Sequence, residues 1–466
     1  MASRGTVPRT VRPSGLRCSE CGWTTVKWVG RCGECQTWGS VAEVAAVPAR
    51  RTTAGPAVTA AQRIGEVDLD RSVWEPTGVG EFDRVLGGGL VPGSVVLVAG
   101  EPGIGKSTLV LDVAARAARA GRAVLYVTGE ESVAQIRMRA ERIEAMAASL
   151  YLAAETDLAS VLGQIEAVDP AVVVIDSVQT IASAEVDGAA GNVTQVREVA
   201  ASLIHVAKTR GIAVLLVGHV TKDGSIAGPR LLEHLVDVVI GFEGERHSRL
   251  RLVRAVKNRY GPTDEVGCFD LSDVGIVGLA DPSGLFLSTR DQLVPGTCVT
   301  VTLEGRRPLV AEIQALVAAS SGPAPRRVTH GLDPSRVAMV AAVLERRARA
   351  PLGSSDSYVS TVGGVRVTEP AADLAVALAM ASAMVDRPLA PRAIAIGEVG
   401  LAGEIRPVSA VPRRLSEAAR LGFTTAFVPP GVIGSGPLPE SLRVIEVAQL
   451  VEAVGAALTR PVALTG

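Results

Sequence analysis

Gly100-Glu101-Pro102-Gly103-Ile104-Gly105-Lys106-Ser107-Thr108 lies between an apolar run, SVVLVAG (94–100), and a segment of helical periodicity, TLVLDVAARAARA (108–120). It satisfies G-x-x-x-x-G-K-[ST] at every position and follows a strand pattern and opens a helix pattern, the setting of a phosphate-binding loop. Glycines let successive backbone N–H groups curl around phosphate oxygens, and the helix N-terminus adds positive potential. Residues Gly100 to Thr108 are therefore expected to hold ATP. Lys106 is expected to reach the β- and γ-phosphates and Ser107 to ligate Mg2+.

Outward from this loop the chain alternates short apolar runs with helical periodicity. AVLYVTG (123–129), AVVVIDS (171–177) and IAVLLVGH (212–219) have the continuous apolar character of strands covered on both faces, so a parallel α/β sheet is expected. Val193, Val196, Ala200, Leu203 and Ala207, at three- and four-residue steps, predict an amphipathic helix over Asn192 to Arg210. AVVVID ends in Asp176, expected to hold the Mg2+ shell. Ser177 rather than an acid follows it, so a general base must come from elsewhere. YVTGEES (126–132) places Glu130 and Glu131 at the C-terminal end of another strand, where open α/β sheets bind ligands. One is expected to be the base and the other a helix N-terminal acid. Residue types alone do not say which. His219, at a strand tip, is a candidate γ-phosphate sensor or a capping histidine.

The chain has 466 residues, 47% of them apolar and 20% charged, which excludes a disordered protein and permits several cores. A formal net charge of −1 excludes a uniformly basic chain. Four of its six cysteines, Cys18, Cys21, Cys32 and Cys35, form two C-x-x-C pairs near the N-terminus. Two such knuckles can present four thiolates tetrahedrally to Zn2+. Around them Arg4, Arg9, Arg12, Arg17, Lys27 and Arg31 oppose Glu20 and Glu34, a pattern that suits a polyanion or a solvated tail. The basic N-terminus lacks an apolar stretch behind it, and Leu374 to Val385 is too short to span a bilayer. A cytoplasmic protein without a membrane partner is expected.

GEPGIGKST, YVTGEES, VVVIDS, LLVGHVTKDG and KNRYG, behind a four-Cys ribbon, together resemble the bacterial RadA (Sms) DNA-repair family over nearly the whole chain. The resemblance implies an α/β fold: a RecA-like P-loop ATPase core, a small zinc ribbon before it and a Lon-protease-like α/β domain after it. It implies Glu130 as the catalytic glutamate and His219 as the sensor. Lys257-Asn258-Arg259-Tyr260-Gly261 matches the family's KNRFG-type signature with Tyr for Phe. By itself this segment reads as a solvated turn. The resemblance implies that Lys257 and Arg259 reach the γ-phosphate held by a neighbouring subunit of a closed, hexameric ring. It also aligns the loops 181–192 and 221–230 with DNA-binding loops, with Lys222 and Arg230 as phosphate contacts. Neither loop has an aromatic residue, so base stacking is not their expected mode.

The expected division is a zinc ribbon (1–40), a linker (41–72), the ATPase domain (73–285), a connecting segment (286–336) and the Lon-like domain (337–466). In the last, GGVRVTEPAADLAVALAMASA (363–383) and AIGEVGLAGEIRPVSAVPRRLSEAAR (395–420) resemble the Lon protease domain. That resemblance implies Ala371 at the protease serine position and Pro412 at the lysine position, and no lysine follows Lys257. A Ser–Lys dyad is therefore absent and function does not follow the fold. Oligomerisation or DNA contact is expected there, with Arg392, Arg406, Arg413 and Arg414 as candidates. The expected function is a DNA-dependent ATPase of homologous recombination and repair. It would be a ring motor on single-stranded and branched DNA, promoting branch migration alongside RecA recombinase. An ATP-dependent protease and a nucleotide-switched interaction protein are the alternatives.

Overall fold

The structure is a computed structural model that describes residues 16–43, 63–66, 73–219, 232–244, 249–272, 274–287, 293–320, 322, 325–434 and 436–458. The 221–230 loop with Lys222 and Arg230, and the tail arginines Arg4, Arg9 and Arg12, lie outside the described residues. The chain forms two compact units, Met1–Asp68 and Leu69–Gly466.

In the first unit β1 (Leu16–Cys18), β2 (Thr24–Thr25) and β3 (Val41–Glu43) make an antiparallel sheet in the order β2-β1-β3. Val41–Glu43, expected to begin the linker, instead pair with β1, with Cys18 opposite Val41. The pairing buries Val41 against Cys18 and Cys32, with Leu16, Trp23 and Val29 around them. An apolar cluster this small needs a metal or other staple to hold it.

The second unit contains two sheets. The first is built from β4 (Val95–Gly100), β5 (Val124–Thr128), β6 (Leu150–Ala154), β7 (Val172–Asp176), β8 (Ala213–His219), β9 (Val238–Glu243), β10 (Leu250–Asn258), β11 (Val266–Ser272) and β12 (Gly275–Gly278). Their order is β12-β11-β10-β9-β4-β8-β7-β5-β6. Strands β4 to β9 run parallel, and β10 to β12 continue the sheet as an antiparallel meander. Helices α1 (Gly80–Leu86), α2 (Lys106–Arg119), α3 (Val133–Arg142), α4 (Leu158–Val168) and α5 (Val193–Arg210) accompany these strands. β4, β5 and β7 are buried along their whole length, as strands covered on both faces must be. In α5 Val196, Val199, Ala200, Leu203 and Ala207 face the core. Val193, expected on that face, is 52% exposed because it occupies the first helical position after the Asn192 cap.

The second sheet uses β13 (Thr297–Glu304), β14 (Arg307–Ala319), β15 (Arg327–His330), β16 (Ser355–Thr361), β17 (Ala393–Ala395), β20 (Thr425–Val428) and β21 (Arg443–Glu446), with a small separate hairpin of β18 (Glu398–Val399) and β19 (Ile405–Arg406). Its order is β15-β16-β14-β13-β17-β20-β21. Residues 286–336, expected to be a connecting segment, thus supply two central strands of this sheet. Leu309, Ala311 and Ile313 are buried against the helix Asp373–Met384, which is apolar apart from Asp373 and Ser382, while Val301 is buried in a second cluster with Val411 and Leu415. Arg414 is also not where expected. It is fully buried, donates to both Glu369 carboxylate oxygens at 2.6 and 2.8 Å and to the Val301 carbonyl at 2.6 Å, and cannot touch DNA. Arg392 and Arg413 remain exposed.

A buried ion pair joins the two sheets. Arg307, at the start of β14, donates to the Glu81 carboxylate on α1 and to the carbonyls of Val266, Leu279 and Ala280 at 3.1, 2.9 and 2.8 Å. Glu81 also accepts the Cys268 N–H at 2.8 Å. Removing one partner of such a pair leaves the other charge buried without compensation. Arg307→Ala is expected to cost about 3–5 kcal/mol, read as a lower denaturation midpoint. An unchanged midpoint would show that the pair contributes nothing.

Candidate functional site

Parallel pairing brings the chemistry-bearing residues to one edge of the first sheet. Gly100 lies opposite His219, Thr128 opposite Asp176, and Asp176 opposite Val217. The loop after β4 turns into α2, whose first residue is Lys106 and which contains Ser107 and Thr108. Gly105 caps that helix at φ 110°, a conformation that a side chain rarely adopts. The Lys106 ammonium folds back onto the carbonyls of Gly100 and Glu101, at 2.9 and 2.8 Å. Burial lowers its pKa to about 8, although Asp176 and Glu130 act in the opposite sense. A buried ammonium held by backbone carbonyls at the mouth of a glycine-rich loop suits an incoming phosphate anion, which would supply the missing counter-charge.

Glu130 and Glu131 have different environments. The Glu130 carboxylate accepts the Ser177 hydroxyl at 2.6 Å and lies 3.4 Å from His219 Nε2. Glu131 turns away to an ion pair with Arg139 on α3, and its N–H donates to the Thr128 hydroxyl at 3.0 Å. Glu130 can take this position because Gly129 precedes it: a Cβ there would lie 2.0 Å from Thr180 Oγ1. Burial, with the Lys106 charge nearby, holds the His219 pKa below its ordinary value, so the imidazole is neutral at pH 7. Its Nδ1 and Gln179 Oε1 are buried without a hydrogen-bond partner among the described residues. Such atoms fit a polar ligand at this edge.

Sequence reasoning missed three groups here. Tyr126 is buried in β5 and donates to Asp176 Oδ2 at 2.6 Å. Burial, then the Asp176 charge, raises its pKa well above the ordinary value, so it stays a donor that orients the carboxylate. Ser177 orients Glu130, and Gln179 donates to the His219 carbonyl at 3.3 Å. The lone aromatic residue inside the apolar run AVLYVTG was the one available signal for Tyr126.

Lys257 and Arg259 occupy the opposite edge. A bulge between Ala255 and Lys257 re-aims the end of β10. Lys257 Nζ then donates to the carbonyls of Glu233 and Val236, at 2.7 and 2.8 Å, just before β9 begins. Arg259 lies 3.7 Å from Asp237, whose other carboxylate oxygen accepts the N–H of Val95, the first residue of β4. The phosphate loop starts at the far end of that strand, roughly 17 Å away at about 3.3 Å per residue.

In the first unit the four cysteine sulfurs lie within 4.8 Å of one another. Cys18 and Cys35 are 3.6 Å apart, and Cys21 and Cys32 3.5 Å. A tetrahedral Zn2+ site with bonds of about 2.3 Å requires sulfurs about 3.8 Å apart, so the four fit. The two knuckles repeat one geometry: Gly22 N–H donates to the Cys18 carbonyl and Gln36 N–H to the Cys32 carbonyl, both at 3.1 Å. Hydrogen bonding with Ser40 lowers the Cys18 pKa to about 6, towards the thiolate that a metal binds.

Residues 71–225 match the family described as AAA domain, and residues 17–43 match a rubredoxin metal binding domain. The chain is 56% identical over 447 residues to a DNA repair protein RadA of Mycobacterium tuberculosis, covering 95% of this chain and 92% of that one. It is 57% identical to a DNA repair protein RadA of Mycolicibacterium smegmatis, covering 93% and 94%. To that of Bacillus subtilis it is 44% identical, covering 95% and 98%. The chain belongs to the DNA repair protein RadA family. It combines an AAA-type ATP-binding domain with a four-Cys zinc ribbon. No helix among the described residues is long and apolar enough to cross a membrane.

Cys32→Ser should reduce bound zinc from about one ion per chain to none, because the tetrahedral site loses one of four ligands. Metal analysis of the purified protein checks this. Chelation of the wild type should change the emission of Trp23, whose ring packs over Gly33 inside the second knuckle.

Proposed function

We propose that this chain is a DNA-dependent ATPase of recombinational repair, a ring-forming motor that moves on single-stranded DNA and drives branch migration alongside a RecA recombinase. In this reading Lys106 and the loop Gly100 to Thr108 bind the triphosphate, and Ser107 and Asp176 hold Mg2+. The metal would neutralise charge developing on the phosphates. Glu130, set by Ser177, accepts a proton from the attacking water. Neutral His219, between Glu130 and the phosphate loop, reports γ-phosphate.

The observation that carries the ring is the position of Lys257 and Arg259. They lie at the opposite sheet edge from their own phosphate loop, out of reach of the nucleotide it would hold. A copy of the same chain stacked head to tail would bring one subunit's cations to another's γ-phosphate, a heterologous contact that closes into a ring. The zinc ribbon, ATPase core and Lon-like domain then form one machine whose last domain has no proteolytic role. Ala371 is buried at the serine position, and Pro412 is the second residue of the helix Val411–Arg420. The 181–192 loop carries Glu185 and Asp187 and no cation, so DNA phosphate contacts within the ATPase domain fall to other residues.

Single-stranded DNA should stimulate ATP turnover, and Lys106→Ala should abolish it. Absence of stimulation across salt and nucleotide conditions would sink the motor reading. Lys257→Ala should keep ATP affinity within about threefold yet lose most DNA-stimulated hydrolysis. Mixing it with Lys106→Ala should restore part of the activity, because those mixed interfaces in which the Lys257→Ala subunit supplies the loop and the Lys106→Ala subunit the lysine pair two intact halves. Mixtures no more active than their parents would argue against action between subunits.

A further inference from the structure

The phosphate loop has a second support that none of the nucleotide-binding motifs contains. Arg251, on β10, is 5% exposed, and its Nε donates to the Ile104 carbonyl at 3.1 Å while Nη1 donates to the Leu250 carbonyl at 2.8 Å. Ile104 is the residue between Gly103 and Gly105, at the crest of the loop. The fold leaves room for this side chain: a Cβ on Gly244 would lie 2.6 Å from Arg251 Cδ. Burying a guanidinium is costly unless its donors are used, and a carbonyl 147 residues earlier in the chain is a specific place to use one.

The consequence follows from peptide geometry. In a planar trans peptide the C=O and the following N–H point in opposite directions. Clamping the Ile104 carbonyl towards β10 therefore aims the Gly105 N–H away from β10. No protein acceptor meets that N–H among the described residues. The Gly105 carbonyl is already committed to α2, accepting the Leu109 N–H at 3.0 Å. Both ends of the Ile104–Gly105 unit are thus fixed before any ligand arrives, leaving one donor presented.

We propose that Arg251 is a positioning residue of the nucleotide site, holding the Ile104–Gly105 peptide so that the Gly105 N–H meets the phosphate chain of the bound nucleotide. The proposal rests on the ATPase reading above. It extends that site to a strand of the antiparallel meander, the same strand that carries Lys257.

The test compares the full-length wild type with Arg251→Met, which keeps the volume and removes the donors, and Arg251→Lys, which keeps a charged donor. Calorimetric titration with Mg-ADP and Mg-ATPγS should show affinity reduced about tenfold or more in the Met variant, since a hydrogen bond from a charged group is lost with its positioning effect. The Lys variant should recover part of it. Thermal melts separate positioning from mere support: the ADP-induced rise in melting temperature should shrink in the Met variant beyond any change without nucleotide. Wild-type affinity in a folded Met variant would overturn the proposal. If that variant gives no cooperative melt, the Lys variant decides: folded with several-fold weaker ADP binding supports the proposal, and wild-type affinity overturns it. Failure of the ATPase reading looks different, because the wild type itself would then bind no Mg-ADP.

Discussion

The candidate nucleotide site depends on one constraint, the register of parallel strands that end at a common edge. Gly100 opposite His219 and Thr128 opposite Asp176 place the loop lysine, Glu130, the Walker-type aspartate and the histidine at one edge, around one candidate ligand position. No hydrogen bond at the site could compensate for a slip of one residue, which would turn every side chain of a strand to the other face. The fully buried strands resist that slip because each has apolar contacts on both faces.

The same sheet has a second organised edge. Asp237 is 3% exposed and takes the Val95 N–H at 3.0 Å and the Lys208 ammonium at 2.7 Å, with Arg259 beside it. It ties the start of β4, the end of α5 and the segment after β10 into one cluster. The proposed cross-subunit cations are therefore mounted on a fixed base, and β4 spans the distance between that base and the phosphate loop. β10, which holds Ile104 through Arg251 and carries Lys257 towards its other end, crosses the same distance two strands away. Arg307 and Glu81 anchor the second sheet to this body, so the C-terminal half is attached through a charged contact shielded from water.

How much was legible varied with the range of the interaction. The loop, the strand ending in Asp176, the Glu130–Glu131 pair and the two cysteine knuckles are local patterns, each dictated by what a few consecutive residues can do. The central hairpin of the second sheet was not legible as such. TCVTVTLE alternates polar and apolar residues like many edge segments, and only its pairing with β14 and β17 makes it central. Val41–Glu43 was similarly hidden, because three residues have no strand signature until β1 offers an edge. Arg414 looked like an exposed cation because its partner Glu369 lies 45 positions away.

By itself the sequence determined the chemistry on offer: a glycine-rich loop with a lysine, an aspartate at the end of an apolar strand, four thiols in two knuckles and no lysine after Lys257 from which to build a protease dyad. These follow from residue type and short spacing, which folding does not alter. Only the tertiary structure decided which glutamate faces the loop and which is spent on Arg139. It also decided that Tyr126 aims Asp176, that Arg251 grips Ile104, and that Lys257 and Arg259 are out of reach of their own loop. Those are distances between residues far apart in the chain, set by strand order and register, and no local pattern encodes them.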